Sequence, residues 1–231
     1  MIGKAYQLML ENHGFLNWWP GDGPLEICLG AILTQNTAWS NVEKALANLR
    51  KIAHLEDARA ISLLPIEELQ QALRPSGYYR LKSERVLDFL SIIISRFDNS
   101  VIHMLQGETS EVRDRLLQIR GIGPETADSI LLYAGSHPVM VVDAYTRRIF
   151  SRHGWCHPDE AYHALQEICL NVISADPSVR KYPPLRFLED LHAQIVMVGK
   201  NYCRPRKPDC ENCPLRCFLP DSGPILNPLN P

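Results

Sequence analysis

The chain has 231 residues, 45% hydrophobic and 22% charged, with a formal net charge of -2 and pI about 6.4. That length buries one large core or two small ones, and the composition is ordinary for a globular protein. No apolar run reaches the length of a membrane span, and the mild acidity leaves a local basic stripe, not a global one, as the route to any polyanion.

The N-terminus, Met1 to Gly14, carries Lys4, Glu11 and His13 and lacks a signal-peptide core, so the expected location is the cytoplasm. Periodicity predicts helices at 5–12, 25–33, 41–50, 66–73, 81–96, 112–118, 126–134, 144–152, 159–173 and 185–199. The stretch Leu25 to Leu33 is almost wholly apolar and reads as a core helix. The 81–96 segment has a stripe of Val86, Leu87, Leu90, Ile93 and Ile94. Before the first of these, Asn17 to Pro24 is a loop dense in chain breakers. Val139 to Val142 is β-branched but too short and isolated to imply a sheet. Leu219 to Pro231 is expected to be irregular.

Four patterns bear on chemistry. In Leu116–Asp128, Gly121 and Gly123 sit between two helical stretches, the pattern of a tight helix-hairpin-helix turn. Glycine accepts positive φ and close approach, and the free N–H groups opening the second helix can hold a phosphate oxygen; an ordinary helical corner uses the same residues. Asp143 ends the run Val139–Val142 and is either a helix N-cap or a working carboxylate, with Arg147 and Arg148 one turn on, meeting phosphate or solvent. Cys203, Cys210, Cys213 and Cys217 can wrap one centre, as a four-cysteine zinc site or a [4Fe-4S] cluster. Arg204, Arg206 and Lys207 between the first two cysteines can meet phosphate or be solvated. Cys28, Cys156 and Cys169 read as buried small residues. Finally, Trp18-Trp19-Pro20 and Trp39 can sandwich a flipped base or belong to the core, and Gln35 can fill the gap left by an extruded base or end a helix.

Together these residues resemble the helix-hairpin-helix DNA glycosylases of the endonuclease III superfamily, from about Leu25 to Cys217. The resemblance implies an all-α fold of two helical domains with a DNA-binding cleft between them: 24–137 with the hairpin, and 1–23 plus 138–231 with the cluster loop, 203–217. It implies damaged double-stranded DNA as the partner; a monomer is expected by default, since the sequence gives no evidence on oligomeric state. Gly121 and Gly123 would bind the DNA backbone, Asp143 would support cleavage of the N-glycosidic bond, and the four cysteines would hold a [4Fe-4S] cluster in preference to zinc. The last cysteine gap is three residues, where endonuclease III usually has five.

Endonuclease III proper has a lysine where this chain has Glu125. That lysine forms a Schiff base with the sugar; glutamate has no amine to do so. The expected enzyme is therefore monofunctional, with water attacking C1′ while Asp143 steadies the oxocarbenium charge and orients the water. The motifs Trp18-Trp19-Pro20, Gly30–Thr37, Arg74–Tyr79, Gly123–Asp128 and Val139–Asp143 look like the 3-methyladenine DNA glycosylase III branch, which is typically without the cluster loop. By that likeness Trp19, Pro20 and Trp39 form the base pocket and the lesion is an alkylated purine, 3-methyladenine, whose positive charge favours indole faces. The rival expectations are a bifunctional endonuclease III acting on oxidised pyrimidines through another lysine, such as Lys82, and a damage-binding protein without turnover.

Overall fold

The computed structural model describes residues 1–226, and every regular element among them is a helix. The α-helices are α1 Ile2–His13, α2 Pro24–Leu33, α3 Trp39–Leu49, α4 Ala58–Ser62, α5 Ile66–Leu73, α6 Tyr79–Arg96, α7 Val101–Met104, α8 Thr109–Leu117, α9 Pro124–Tyr133, α10 Ala144–Arg152, α11 Tyr162–Ala175, α12 Pro177–Arg180 and α13 Pro184–Asn201. Short 3-10 turns lie at Arg74–Ser76 and Arg216–Phe218.

Local chemistry sets the ends. Pro24, Pro124, Pro177 and Pro184 open four helices, where a fixed φ helps and the missing N–H costs nothing. Asp57, Ser100, Asp143 and Asp176 cap α4, α7, α10 and α12 through their side chains. The short helices α4, α7 and α12 are absent from the periodicity reading because four or five residues are too few to show a stripe. Val139–Val142 forms no strand. Instead, side chains of α11 meet its backbone: Gln166 Nε2 donates to Met140 O at 2.7 Å, and Tyr162 Oη accepts from Val142 N–H at 3.3 Å.

The chain divides into two compact units, one of residues 19–137 and one of Met1–Trp18 with the chain from Pro138. Trp19 to Gly23, expected in the latter, group with the former. Arg50, the C-cap of α3, explains this locally: it bonds Asp22 at 3.0 Å and also holds the buried Glu26 of α2. Glu56 accepts from the N–H groups of Leu25 and Glu26 and so caps α2 from a distance. Helix α2 is the core of this unit, with Leu25, Cys28, Leu29, Ala31, Ile32 and Leu33 all buried against α3, α6, α7 and α9.

In the other unit α13 is central and packs on α1 and α10. Phe187, Leu188, Leu191, Ile195 and Val198 are buried along it. A Cβ at Gly199 would stand 2.3 Å from Tyr145 Cδ1, so glycine is what lets α10 and α13 touch. Asp190 and Gln194 tie the N-terminal segment to α13: Tyr6 Oη and Leu16 N donate to Asp190, and Gln194 donates to Gly14 O. Residues 219–226 are irregular, with Ile225 N–H bonded to Arg152 O at 2.9 Å; the rest of the expected irregular tail, 227–231, lies outside the described residues. No described helix is long and apolar enough to cross a membrane.

Candidate active site

The hairpin is α8, a turn and α9. Its two helices are joined by Arg113, which grips the fully buried Asp128 with two bonds of 2.7 and 3.1 Å. Ile119 and Ile122 anchor the turn from below. Gly121 has φ +84, in the region that L side chains avoid, and a Cβ there would meet the Arg85 side chain at 2.5 Å. Gly123 is exposed, with nothing within 4 Å of its missing Cβ, and caps α9. The first turn of α9 thus faces open space with the N–H groups that a helix start leaves unpaired. Glu125 lies exposed in that turn.

Gln35 has a structural task that its sequence position does not reveal. Its amide donates to Gly121 O and to Thr126 Oγ1, both at 2.9 Å, and Arg85 in turn donates to its Oε1. The side chain expected to fill a gap in the duplex is here a strut that fixes the carbonyl side of the turn.

Asp143 is both cap and candidate acid. Its Oδ1 accepts from Thr146 N–H at 2.7 Å and from Thr146 Oγ1 at 2.9 Å, while Oδ2 faces His192 Nε2 at 3.5 Å. The side chain is only 12% exposed. Burial alone would raise its pKa; the imidazole of His192 and the Thr146 donors outweigh that and hold the carboxyl below the usual aspartate value. Tyr145 is pushed the other way, first by burial and then by the Asp143 charge. His192, from α13, is the neighbour of Asp143 that sequence reading missed. The one signal available was a histidine at helical spacing among the apolar positions Leu188, Leu191, Ile195 and Val198 of α13.

Trp19 and Trp39 are in edge-to-face contact, with ring centroids 4.9 Å apart at 77°, and Trp19 also meets Tyr133 at 5.0 Å. Pro20 is exposed beside them. The two indoles touch each other, so the expected sandwich has no open slot between its rings.

The cysteine loop is held by the arginines of α10. Arg148 donates to Cys203 O and Gly199 O; Arg152 donates to Arg204 O at 2.7 Å and Pro205 O at 2.8 Å, and its Nη1 lies 3.5 Å from Cys203 Sγ. Arg147, expected at phosphate, instead donates to Glu160 O and Pro158 O. Arg204, Arg206 and Lys207 are exposed.

Cys203, Cys210 and Cys213 line one small cavity with Arg152, His153 and Asp209; Cys217 is exposed in its 3-10 turn and is not among the lining residues. Among the described residues no group of three or more His, Cys, Asp or Glu side chains closes to metal-holding geometry. The thiols nevertheless sense one another. Burial pushes Cys213 up to about 11 and Cys210 up as well, with neighbouring cysteines and Asp209 adding to both. One buried and two half-buried thiols around one cavity, next to a guanidinium that can bond sulfur, are the donor set a thiolate-bound centre needs; the fourth cysteine lies one short turn away at the surface.

The all-helical fold, the glycine hairpin and the largely enclosed, capped acid are those of a base excision DNA repair glycosylase. The chain belongs to the HhH-GPD superfamily of base excision DNA repair proteins, whose model matches residues 29–175. A Methanocaldococcus jannaschii protein named Putative DNA repair glycosylase MJ1434 is 38% identical over 94% of this chain and 95% of its own length. The structure of H. pylori 3-methyladenine DNA glycosylase (MagIII) bound to 1,N6-ethenoadenine matches with TM-score 0.74 and 31% identity, over 86% of this chain and 95% of that one. A non-covalent endonuclease III–DNA complex matches with TM-score 0.76 over 94% of this chain and 93% of that one, and at 21% identity it shares the fold.

Proposed function

We propose that this chain is a monofunctional DNA N-glycosylase that excises alkylated purines, 3-methyladenine foremost, from double-stranded DNA. The observation that carries this reading is the divided carboxylate of Asp143: Oδ1 is committed to the helix cap and Oδ2 faces His192, and these contacts hold the group below the usual aspartate pKa. Such an acid suits a cationic lesion. As the C1′–N bond breaks, its electron pair neutralises the departing base, so no strong general acid is required. Asp143 steadies the sugar cation and orients a water, whose oxygen bonds to C1′ while its proton leaves to the carboxylate and then to solvent. The amine needed for a Schiff base is missing from the hairpin, where Glu125 stands. Lys82, the nucleophile of the rival reading, is 2% exposed and donates to Leu33 O and Ser76 O.

The substrate class rests on the likeness to the H. pylori enzyme and on the indoles of Trp19 and Trp39, which would part to admit a base beside Pro20. A desolvated aromatic face attracts a cationic base by about 2 kcal/mol, an advantage that a neutral adenine does not share. Gly121, Gly123 and the cations Arg204, Arg206 and Lys207 would meet phosphates, which position the duplex without reading its sequence.

Incubation with methylated DNA, followed by chromatography of the freed bases, tests the reading: 3-methyladenine is the expected product, and no released purine refutes it. Asp143→Asn is expected to lower excision by ~10²–10³-fold, the usual scale for losing one preorganised charge-stabilising group. Borohydride is expected to trap no enzyme–DNA adduct; a covalent adduct overturns the monofunctional assignment.

Cys203, Cys210, Cys213 and Cys217 would hold a [4Fe-4S] cluster, which when bound ties four points of this loop together. A brown protein absorbing near about 400 nm is expected. A colourless protein carrying zinc overturns the iron assignment and leaves the glycosylase reading intact.

A further inference from the structure

We propose that His192 is the positioning residue of Asp143, fixing which carboxylate oxygen faces the reacting sugar and in what plane. The inference rests on the functional reading given above and adds to it a second buried group, delivered by a different helix.

The argument begins with α13. Its buried apolar residues, Phe187, Leu188, Leu191, Ile195 and Val198, are interrupted by three buried polar ones, Asp190, His192 and Gln194. A polar group buried in such a setting is costly unless it is partnered. Asp190 and Gln194 meet that cost by holding the N-terminal segment, through Tyr6, Leu16 and Gly14. That task does not involve the Nε2 of His192, which lies 3.5 Å from Asp143 Oδ2.

Thr146 bonds Oδ1 twice, through N–H and Oγ1, and this pins one end of the carboxylate. A carboxylate held at one oxygen still rocks about its Cβ–Cγ bond, within the range those two hydrogen bonds tolerate. The imidazole, 3% exposed and fixed on a long helix, limits that rotation from the other side. At 3.5 Å the contact is too long for a strong hydrogen bond. It therefore steers Oδ2 without saturating it, leaving lone-pair capacity for a water or for the developing sugar cation. The contact between α10 and α13 across Gly199 and Tyr145 sets the spacing on which this depends.

Positioning and mere packing make different predictions. His192→Phe keeps a ring of similar size and removes the donor. Its single-turnover excision rate is expected to fall ~10–100-fold, the scale of a misplaced reacting group, while its affinity for DNA with an abasic-site analogue stays within about twofold of wild type. His192→Gln retains an N–H donor of similar reach and is expected to recover most of the rate. In an Asp143→Asn background His192→Phe is expected to cost nothing further, because the group it positions is gone. A His192→Phe variant with the wild-type rate overturns the inference. So does equal impairment of the Phe and Gln variants accompanied by weaker DNA binding, the signature of a packing role. If wild type itself releases no purine, the functional reading has failed first, and this inference falls with it.

Discussion

The hairpin turn and the cysteine loop are both connections that present backbone or cationic side chains outward, yet they are held in opposite ways. The turn at 118–123 has two helices locked to each other by Arg113 and Asp128, two buried isoleucines beneath it, and Gln35 bracing its carbonyl. The stretch from Tyr202 to Phe218 has little apolar anchorage, with Cys203 and Leu215 its buried residues. Its shape comes from Arg148 and Arg152 reaching across from α10 to its carbonyls. A segment that secures itself by apolar burial tolerates the loss of one polar bond; a segment held by a few buried guanidinium bonds does not.

The largest expected effect follows from this contrast. Arg152 is 6% exposed and serves two carbonyls and one sulfur. Arg152→Leu leaves those acceptors without their donor, and a loss of about 3 kcal/mol in urea unfolding is expected. A loss under about 1 kcal/mol would mean that the loop is self-supporting after all. Next comes Gly121→Ala. It places a side chain at φ +84 and against Arg85, and a cost of about 1–2 kcal/mol is expected, together with weaker binding to abasic-analogue DNA. Unchanged binding would remove the turn from the DNA contact.

A comparable effect, visible only as a change with pH, concerns Lys82, which is buried in the same unit as the hairpin. Burial brings its ammonium down to about 8, with Arg85 adding to the shift. The neutral amine keeps two N–H donors, enough for Leu33 O and Ser76 O. The unfolded chain holds this proton up to about 10.4, so between the two values it binds more protons than the folded chain and stability rises with pH. Wild type is expected to gain on the order of 2 kcal/mol over Lys82→Met between pH 7.5 and 10. Parallel curves for the two proteins would place the Lys82 charge in water.

What the sequence made legible was local. The 66–73 and 144–152 helices are read to the residue, since each has a clear stripe and a cap or breaker at its start. The cap position of Asp143 follows from its place before Ala144. The glycine turn is visible because glycine alone suits its backbone. What stayed hidden lies in contacts between residues distant in the chain. Nothing near Gln35 announces Gly121, nothing near Arg152 announces Pro205, and His192 reads as one more polar residue until α13 packs against α10. The contact between the Trp19 and Trp39 rings is likewise a property of packing, with no signature in spacing.

Gly199 is the narrow hinge pin of this arrangement. One methyl group placed there would collide with Tyr145 and pry two helices apart, moving the capped carboxylate and its imidazole neighbour out of register and loosening the arginine hold on the cysteine loop. A position with no chemistry of its own thereby governs acid geometry and loop anchorage at a single stroke.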